Sequence, residues 1–178
     1  MELVRPSTKY KESFIEGIKE FQTDTEKTRF RHVHNINISE VEKDFEAYLE
    51  KLEKQALGID LPSGYVPATT LWLVDDGEYI GSANIRHILN ENLLKMGGNI
   101  GYGIKPSKRG KGYGTKILEL ALSEAKKLGI DRVLVTCDDD NIGSAKIIEK
   151  NGGVLENKVE NEGKLKRRYW IDNVKISI

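Results

Sequence analysis

Apolar positions along the chain follow one period in its first third and another in the remainder. In "STKYKESFIEGIKEF", Tyr10, Phe14, Ile18 and Phe21 recur at helical spacing, and Ser7 stands where an N-cap belongs. Val41, Phe45, Tyr48, Leu49 and Leu52 share one face of a second helix running roughly from Ser39 to Leu57. Between the two, "RFRHVHNINI" is polar and irregular and reads as a loop. Pro62, Gly64 and Pro67 in "GIDLPSGYVPATT" then end the helical part. "TTLWLVDD" and "EYIGSANIRHIL" are strand-like and joined by Asp76-Gly77, a strong hairpin signal. "GGNIGYGIK" predicts a third strand, in which Gly101 and Gly103 imply a bulge or a close approach by another group. Leu118, Ala121, Leu122, Ala125 and Leu128 stripe a helix that Gly129 closes. "DRVLVT" is apolar enough to be buried on both faces, "NIGSAKIIEKNGG" is a short helix, and "VLENKVE" and "KRRYWIDNVKISI" are strands turning at Asn161 to Gly163. The order α-α-β-β-β-α-β-α-β-β indicates an α/β or α+β fold with a mixed sheet.

Composition narrows the function classes. A chain of 178 residues, 38% hydrophobic and 31% charged, suits one ordinary domain over residues 1–178, and no apolar run is long enough to cross a bilayer. The opening "MELVRPSTKYKES" lacks an apolar signal core, which implies a cytoplasmic protein that does not engage a membrane. Twenty-eight basic residues balance 28 acidic ones, so a general electrostatic grip on nucleic acid is not expected and an anion site must be local. The single cysteine, Cys137, excludes an intrachain disulfide and a cysteine metal cluster.

One local candidate stands out. "KRGKGYGTK" sets Gly110, Gly112 and Gly114 at every second position, between a strand ending near Lys105 and an amphipathic helix. The spacing fits neither a Walker A loop nor a dinucleotide fingerprint, whose third glycine would fall on Thr115. What it does supply is backbone N–H groups that an anion can approach closely, at a helix N-terminus whose dipole favours negative charge. Lys105, Lys108, Arg109, Lys111 and Lys116 add cations with no acidic residue among them. A pyrophosphate fits that field; a glycine-rich turn with solvated lysines is the other reading.

"IGYGIKPSKRGKGYGTKILELALSEAKKLG", followed by "RVLVTCDDDNIGSAKIIEKNGG", resembles the GNAT superfamily of acetyl-CoA-dependent N-acetyltransferases. The likeness is specific over residues 99–153; residues 70–98 and 154–178 follow by element order, and residues 7–57 correspond to the variable acceptor-side helices. The resemblance implies the GNAT fold, a single mixed, largely antiparallel central sheet of about six to seven strands flanked by helices. It implies acetyl-CoA as co-substrate, no metal, and a primary amine of a small molecule or peptide as acceptor; it is compatible with a homodimer. It assigns the coenzyme A pyrophosphate to Arg109, Gly112 and Gly114 with the amides of Gly110, Lys111, Tyr113 and Thr115, and the pantetheine to backbone near Tyr102, Gly103 and Ile104, which would account for Gly101 and Gly103. Asn141 and Ser144 match the helix start that contacts the coenzyme arm.

Two places depart from the relatives' pattern. Ile148 stands where many carry a tyrosine acid, and Asn99 where some carry a carboxylate base. His87, on a strand beside the cofactor, and Asp138, at the end of "RVLVTCDD", are the candidates for proton transfer. Cys137 reads as a buried structural thiol, His32 and His34 as surface residues, and Asp139 and Asp140 as solvated or capping. Asp138, Asp140, Gly143 and Glu149 mimic EF-hand spacing, but Ile142 offers no ligand and a strand precedes them. The acidic residues of the second helix either attract a cationic amine or form a solvated face, the second being favoured. The alternative function is a non-catalytic coenzyme A-binding regulatory module.

Overall fold

The computed structural model of the protein describes residues 1–24 and 30–173. Its elements are β1 (Glu2–Val4), α1 (Lys11–Gln22), α2 (Arg31–His34), α3 (Ile38–Lys43), α4 (Phe45–Leu57), β2 (Ala68–Asp75), β3 (Glu78–Arg86), β4 (Ile100–Ile104), α5 (Tyr113–Lys127), β5 (Arg132–Asp138), α6 (Ile142–Lys150), β6 (Val154–Asn161) and β7 (Lys164–Asp172). The seven strands hydrogen-bond in the orders β1-β2-β3-β4 and β5-β7-β6, with antiparallel neighbours throughout. A single bridge, Gly98 to Val135, joins the two groups, so the sheet parts beyond it between β4 and β5.

Strand alternation sorts the core into two layers. Leu71, Leu73, Ile80, Ala83, Ile85, Ile100 and Ile104 point to α5 and meet Ile117, Leu118 and Ala121. Trp72, Val74 and Tyr79 point the other way, under α1 and α4. There Phe14 stacks on Trp72 at 4.1 Å and 17°, with Tyr79 edge-on at 5.1 Å, an arrangement of rings that adds to simple burial.

Several elements depart from the periodicity reading for identifiable reasons. The expected helix from Ser39 to Leu57 is two helices, because the Asp44 side chain accepts from Ala47 N at 2.9 Å and starts α4 afresh. The polar stretch before it contains α2. Ser7 is extended as an N-cap should be, yet its side chain makes no capping bond, and a short 3-10 turn at Thr8–Tyr10 leads into α1. Strand β1 is too short for alternation to reveal, and a π-helical turn at Leu93–Gly97 precedes β4. The hairpin holds: Asp76 (φ 49°) and Gly77 (φ 78°) form a two-residue turn of the left-handed kind that matches strand twist. The end of the last expected strand, residues 174–178, lies outside the described residues.

Candidate functional site

The glycine loop emerges from β4 and runs directly into α5. Gly110 (φ 73°) and Gly112 (φ 86°) adopt left-handed backbone, and a Cβ at either would meet nothing within 4 Å, so conformation and not crowding explains these glycines. Gly114 has another reason: a Cβ there would come 2.6 Å from Ile147 Cδ1, so the glycine lets α5 and α6 pack closely. The amides of Gly110, Lys111, Gly112, Tyr113, Gly114 and Thr115 donate to no protein group among the described residues; the next, Lys116 N, closes the first helical bond on Gly112 O at 3.2 Å. Consecutive unpaired N–H groups at the start of a long helix form an anion cradle.

The cationic side chains around that cradle are less available than their clustering in sequence implies. Glu78 holds both Lys105 (2.6 Å) and Lys108 (2.5 Å), and these two ammonium groups hold its carboxyl below the ordinary range. Arg109 is tied to Asp24 at 2.8 Å and donates from Nε to Ile104 O at 3.1 Å. Lys116 pairs with Glu119 at 2.9 Å, and Lys111 reaches Ser107 O at 3.1 Å. Glu20 also grips the loop, accepting from Ser107 N and, at 3.0 Å, from Ser107 Oγ. Counter-charges distant in sequence thus balance a segment that contains no acid of its own.

Beyond the Gly98 bridge, β4 faces the gap. In the β3–β4 ladder Lys105 N donates to Ile80 O at 3.0 Å, so by alternation Gly101 and Gly103 bond to β3 while the N–H and C=O groups of Ile100, Tyr102 and Ile104 turn toward the opening. The apex of the opening is built by Asn99, which is 3% exposed. Its Oδ1 accepts from Leu134 N at 2.9 Å, its Nδ2 donates to Arg86 O at 3.3 Å, and its own N–H donates to Leu134 O at 2.7 Å. The side-chain amide thereby stands in for a peptide group and ties β3, β4 and β5 together at the split. A carboxylate could not donate to Arg86 O, which explains why this position carries an amide.

Inside the split, the Tyr102 hydroxyl is buried beside Ser144 of α6 without a hydrogen bond of full geometry, and burial pushes its pKa up. An unsatisfied buried hydroxyl calls for a missing partner. Asn141 caps α6, accepting from Ser144 N at 3.1 Å. Cys137 is buried in the α5-side core and its thiol is pushed up to about 11 by burial, so it is the inert structural thiol that the sequence suggested.

The opposite face of β4 corrects two expectations. Gly101 and Gly103 are crowded by the Phe30 ring, whose atoms lie 3.1 and 2.6 Å from where their Cβ atoms would be; a side chain packed on the strand face, and not a ligand at its edge, accounts for both glycines. His32 is not a surface residue. Its Nε2 lies 3.1 Å from Thr70 Oγ1, to which Asn84 Nδ2 donates at 3.2 Å, and burial together with the nearby Arg86 cation lowers its pKa to about 4. Nothing in the sequence signalled this cluster, whose members are up to 54 positions apart, from His32 to Arg86. His34 is exposed, as are Glu40, Glu42, Glu46, Glu50 and Glu53, where Glu42 meets Lys19 and Glu50 meets Lys54: a solvated face.

The two proton-transfer candidates stand apart. His87 continues β3 past Arg86, its Nε2 2.8 Å from Thr69 Oγ1 on the side of the sheet that faces α5. Gly81 is the β3 residue beside Ile104, and six strand residues at about 3.4 Å each put His87 about 20 Å from the start of the glycine loop. Asp138 ends β5 and pairs with Lys166 at 2.7 Å. Its neighbour Asp139 is held by Lys158 and Arg167, both at 2.7 Å. The basic run "KLKRR" is therefore met by carboxylates, Arg168 pairing with Glu156 at 2.6 Å.

Among solved structures the fold is similar to that of a probable acetyltransferase (TM-score 0.69, 19% identity, covering 96% of this chain and 91% of the other). It is also similar to the Microcin C7 self immunity acetyltransferase MccE in complex with acetyl-CoA and AMP (0.66, 20%, covering 96% and 91%). The RimL ribosomal L7/L12 alpha-N-protein acetyltransferase in complex with coenzyme A is a third (0.67, 17%, covering 96% and 92%). No curated protein matches the chain. The family model described as "Acetyltransferase (GNAT) domain" matches residues 5–154, and with the parted sheet and the glycine loop before α5 already in view, the chain belongs to the GNAT acetyltransferase family.

Proposed function

We propose that the protein is an acetyl-CoA-dependent N-acetyltransferase that moves an acetyl group to a primary amine of a small molecule or peptide, within a single domain. The observation that carries this reading is the row of unpaired amides from Gly110 to Thr115 at the N-terminus of α5, adjoining a strand whose even-numbered residues turn their backbone groups to an open split. Solved structures of similar fold contain acetyl-CoA or coenzyme A. In this reading the amides of Gly110, Lys111, Gly112, Tyr113, Gly114 and Thr115 take the pyrophosphate, and Tyr102 and Ile104 offer backbone to the pantetheine arm, whereas Gly103, whose backbone groups pair with β3, does not. Asn141, with its Nδ2 uncommitted by the cap, and Ser144 take the far wall. Bound there, acetyl-CoA would supply the activated acyl group.

The residues of the split then divide the chemistry. An N–H of β4 turned toward the opening donates to the carbonyl oxygen as it gains charge. The Tyr102 hydroxyl, unsatisfied and beside Ser144, donates a proton to the departing thiolate from β4, replacing a donor that the helix, with Ile148 buried, does not provide. Asp138 is paired with Lys166 at the end of β5, and His87, one residue past Arg86 and bonded to Thr69, lies at the apex end of the split, away from the pyrophosphate loop.

The test is release of coenzyme A thiol from acetyl-CoA in the presence of a panel of primary amines, for the wild type and for Tyr102→Phe. Turnover with at least one amine is expected, with kcat reduced by about 10–100-fold in the variant and acetyl-CoA affinity retained. Acetyl-CoA binding without turnover on any amine would instead support a non-catalytic coenzyme A-binding module, a reading favoured by Asn99 serving as a structural tie and Ile148 as core.

A further inference from the structure

Arg86 ends β3 on the face that carries Phe30 and His32, beside the apex built by Asn99. Its Nη1 donates to Gly97 O at 3.2 Å and to Gly98 O at 3.1 Å, which fastens the π-helical turn. Those two bonds use both hydrogens of Nη1. Nε and Nη2 hold the other three N–H groups, and they donate to no protein group among the described residues. Nor does Arg86 form an ion pair with any described carboxylate, while burial disfavours its charge. The Nε/Nη2 edge of a guanidinium is the geometry that grips a carboxylate with two parallel bonds.

That edge lies beside β4 and the Phe30 ring. Nη2 is 3.7 Å from where a Cβ on Gly101 would stand, with the Phe30 ring 3.1 Å from the same point, so a side chain at 101 would crowd the guanidinium. The polar groups nearest to it, His32, Thr70 and Asn84, are neutral and bonded to one another. A cationic acceptor such as a polyamine would meet Arg86 with no carboxylate to offset it, at a cost that a zwitterionic acceptor avoids.

We propose that Arg86 receives the carboxylate of an amino-acid-type acceptor, a small molecule that carries the reacting primary amine and the anion together. This rests on the acetyltransferase reading, since it names the acceptor class for the same split. The amine reaches the apex from the Phe30 face while the thioester lies on the α5 side, and the carboxylate is held by Nε and Nη2 as the amine points between β4 and β5.

The experiment compares kcat/KM for α-amino acids, β-alanine and γ-aminobutyrate with that for their carboxamides and for spermidine, in the wild type, Arg86→Lys and Arg86→Gln, with acetyl-CoA affinity measured alongside by calorimetry. The best carboxylate acceptor is expected to exceed its carboxamide by at least about tenfold, one charge-assisted bidentate contact. Arg86→Gln should bring that ratio to near one while acetyl-CoA affinity stays within about threefold, and Arg86→Lys, which keeps the positive charge, should retain part of it. Equal rates for acid and amide, a preference that survives in Arg86→Gln, or acetylation of spermidine alone overturns the proposal. If acetyl-CoA does not bind at all, the acetyltransferase reading fails by itself. The anion contact is then read from calorimetric binding of N-acetylglycine against N-acetylglycinamide: binding of the acid lost in Arg86→Gln supports it, and no binding of either overturns it.

Discussion

The two faces of β4 hold their polar groups in opposite ways. On the α5 side, the candidate cofactor cradle is made of backbone amides from six consecutive residues, Gly110 to Thr115, shaped by the left-handed conformations of Gly110 and Gly112. On the other side, His32, Thr70, Asn84 and Arg86 come from three separate elements and are assembled only by tertiary packing. A site built from adjacent backbone groups survives changes in most side chains, whereas one built from distant side chains depends on each of them. Substitutions on the two faces should therefore have different signatures.

Asn99 lies where the faces meet, and its loss should have the largest effect. Asn99→Ala leaves the buried Leu134 N–H and the part-buried Arg86 O without partners; at about 1–3 kcal/mol for each group, a loss of about 2–6 kcal/mol is expected in denaturant unfolding. A loss under about 1 kcal/mol would show that the tie at the apex is dispensable.

The helix face should respond to pH where the cradle does not. His32 titrates near 4 when folded and near 6.5 when unfolded. Between those values the unfolded chain binds more protons, so stability is full above pH 6.5 and falls as pH drops toward 4, by about 1–3 kcal/mol. His32→Gln should flatten that part of the stability profile and leave acetyl-CoA affinity unchanged at pH 7. An unaltered slope in the variant would remove His32 as its source.

A smaller effect probes the charge balance of the cradle. Glu78→Gln frees Lys105 and Lys108, so acetyl-CoA should bind about three- to tenfold more tightly at low ionic strength, with the gain fading as salt is added. Weaker binding at every salt concentration would mean that Glu78 shapes the loop more than it masks its charge.

This contrast also explains what was legible in the sequence. The hairpin at Asp76-Gly77, the α5 stripe, the order of the strands and the glycine loop each depend on neighbours in the chain, and each is where the pattern placed it. The break at Asp44 is a local cap inside a periodic stretch, so the apolar spacing of Val41, Phe45 and Leu52 concealed it. The basic segment after β4 has no acid beside it in sequence, yet Glu78 of β3 reaches Lys105 and Lys108, Asp24 just beyond α1 reaches Arg109, and Glu20 of α1 reaches Ser107. Gly101 and Gly103 were correctly marked as points of close approach, but only the fold reveals that Phe30 is what approaches. Asn99 was read as a missing base; its two side-chain bonds give it a structural task that no spacing rule encodes.

The account's central claim is that the amides of Gly110 to Thr115 hold the pyrophosphate of acetyl-CoA, and calorimetric titration of acetyl-CoA into the wild type, Gly112→Ala and Gly112→Glu tests it most directly. Both substitutions strain the same backbone angle and meet open space, so they differ chiefly in the charge placed at the cradle. The prediction is micromolar binding by the wild type, a loss of no more than about tenfold in Gly112→Ala, and a loss of more than about 100-fold in Gly112→Glu. Equal affinities for the two variants, or no binding by the wild type, would contradict it.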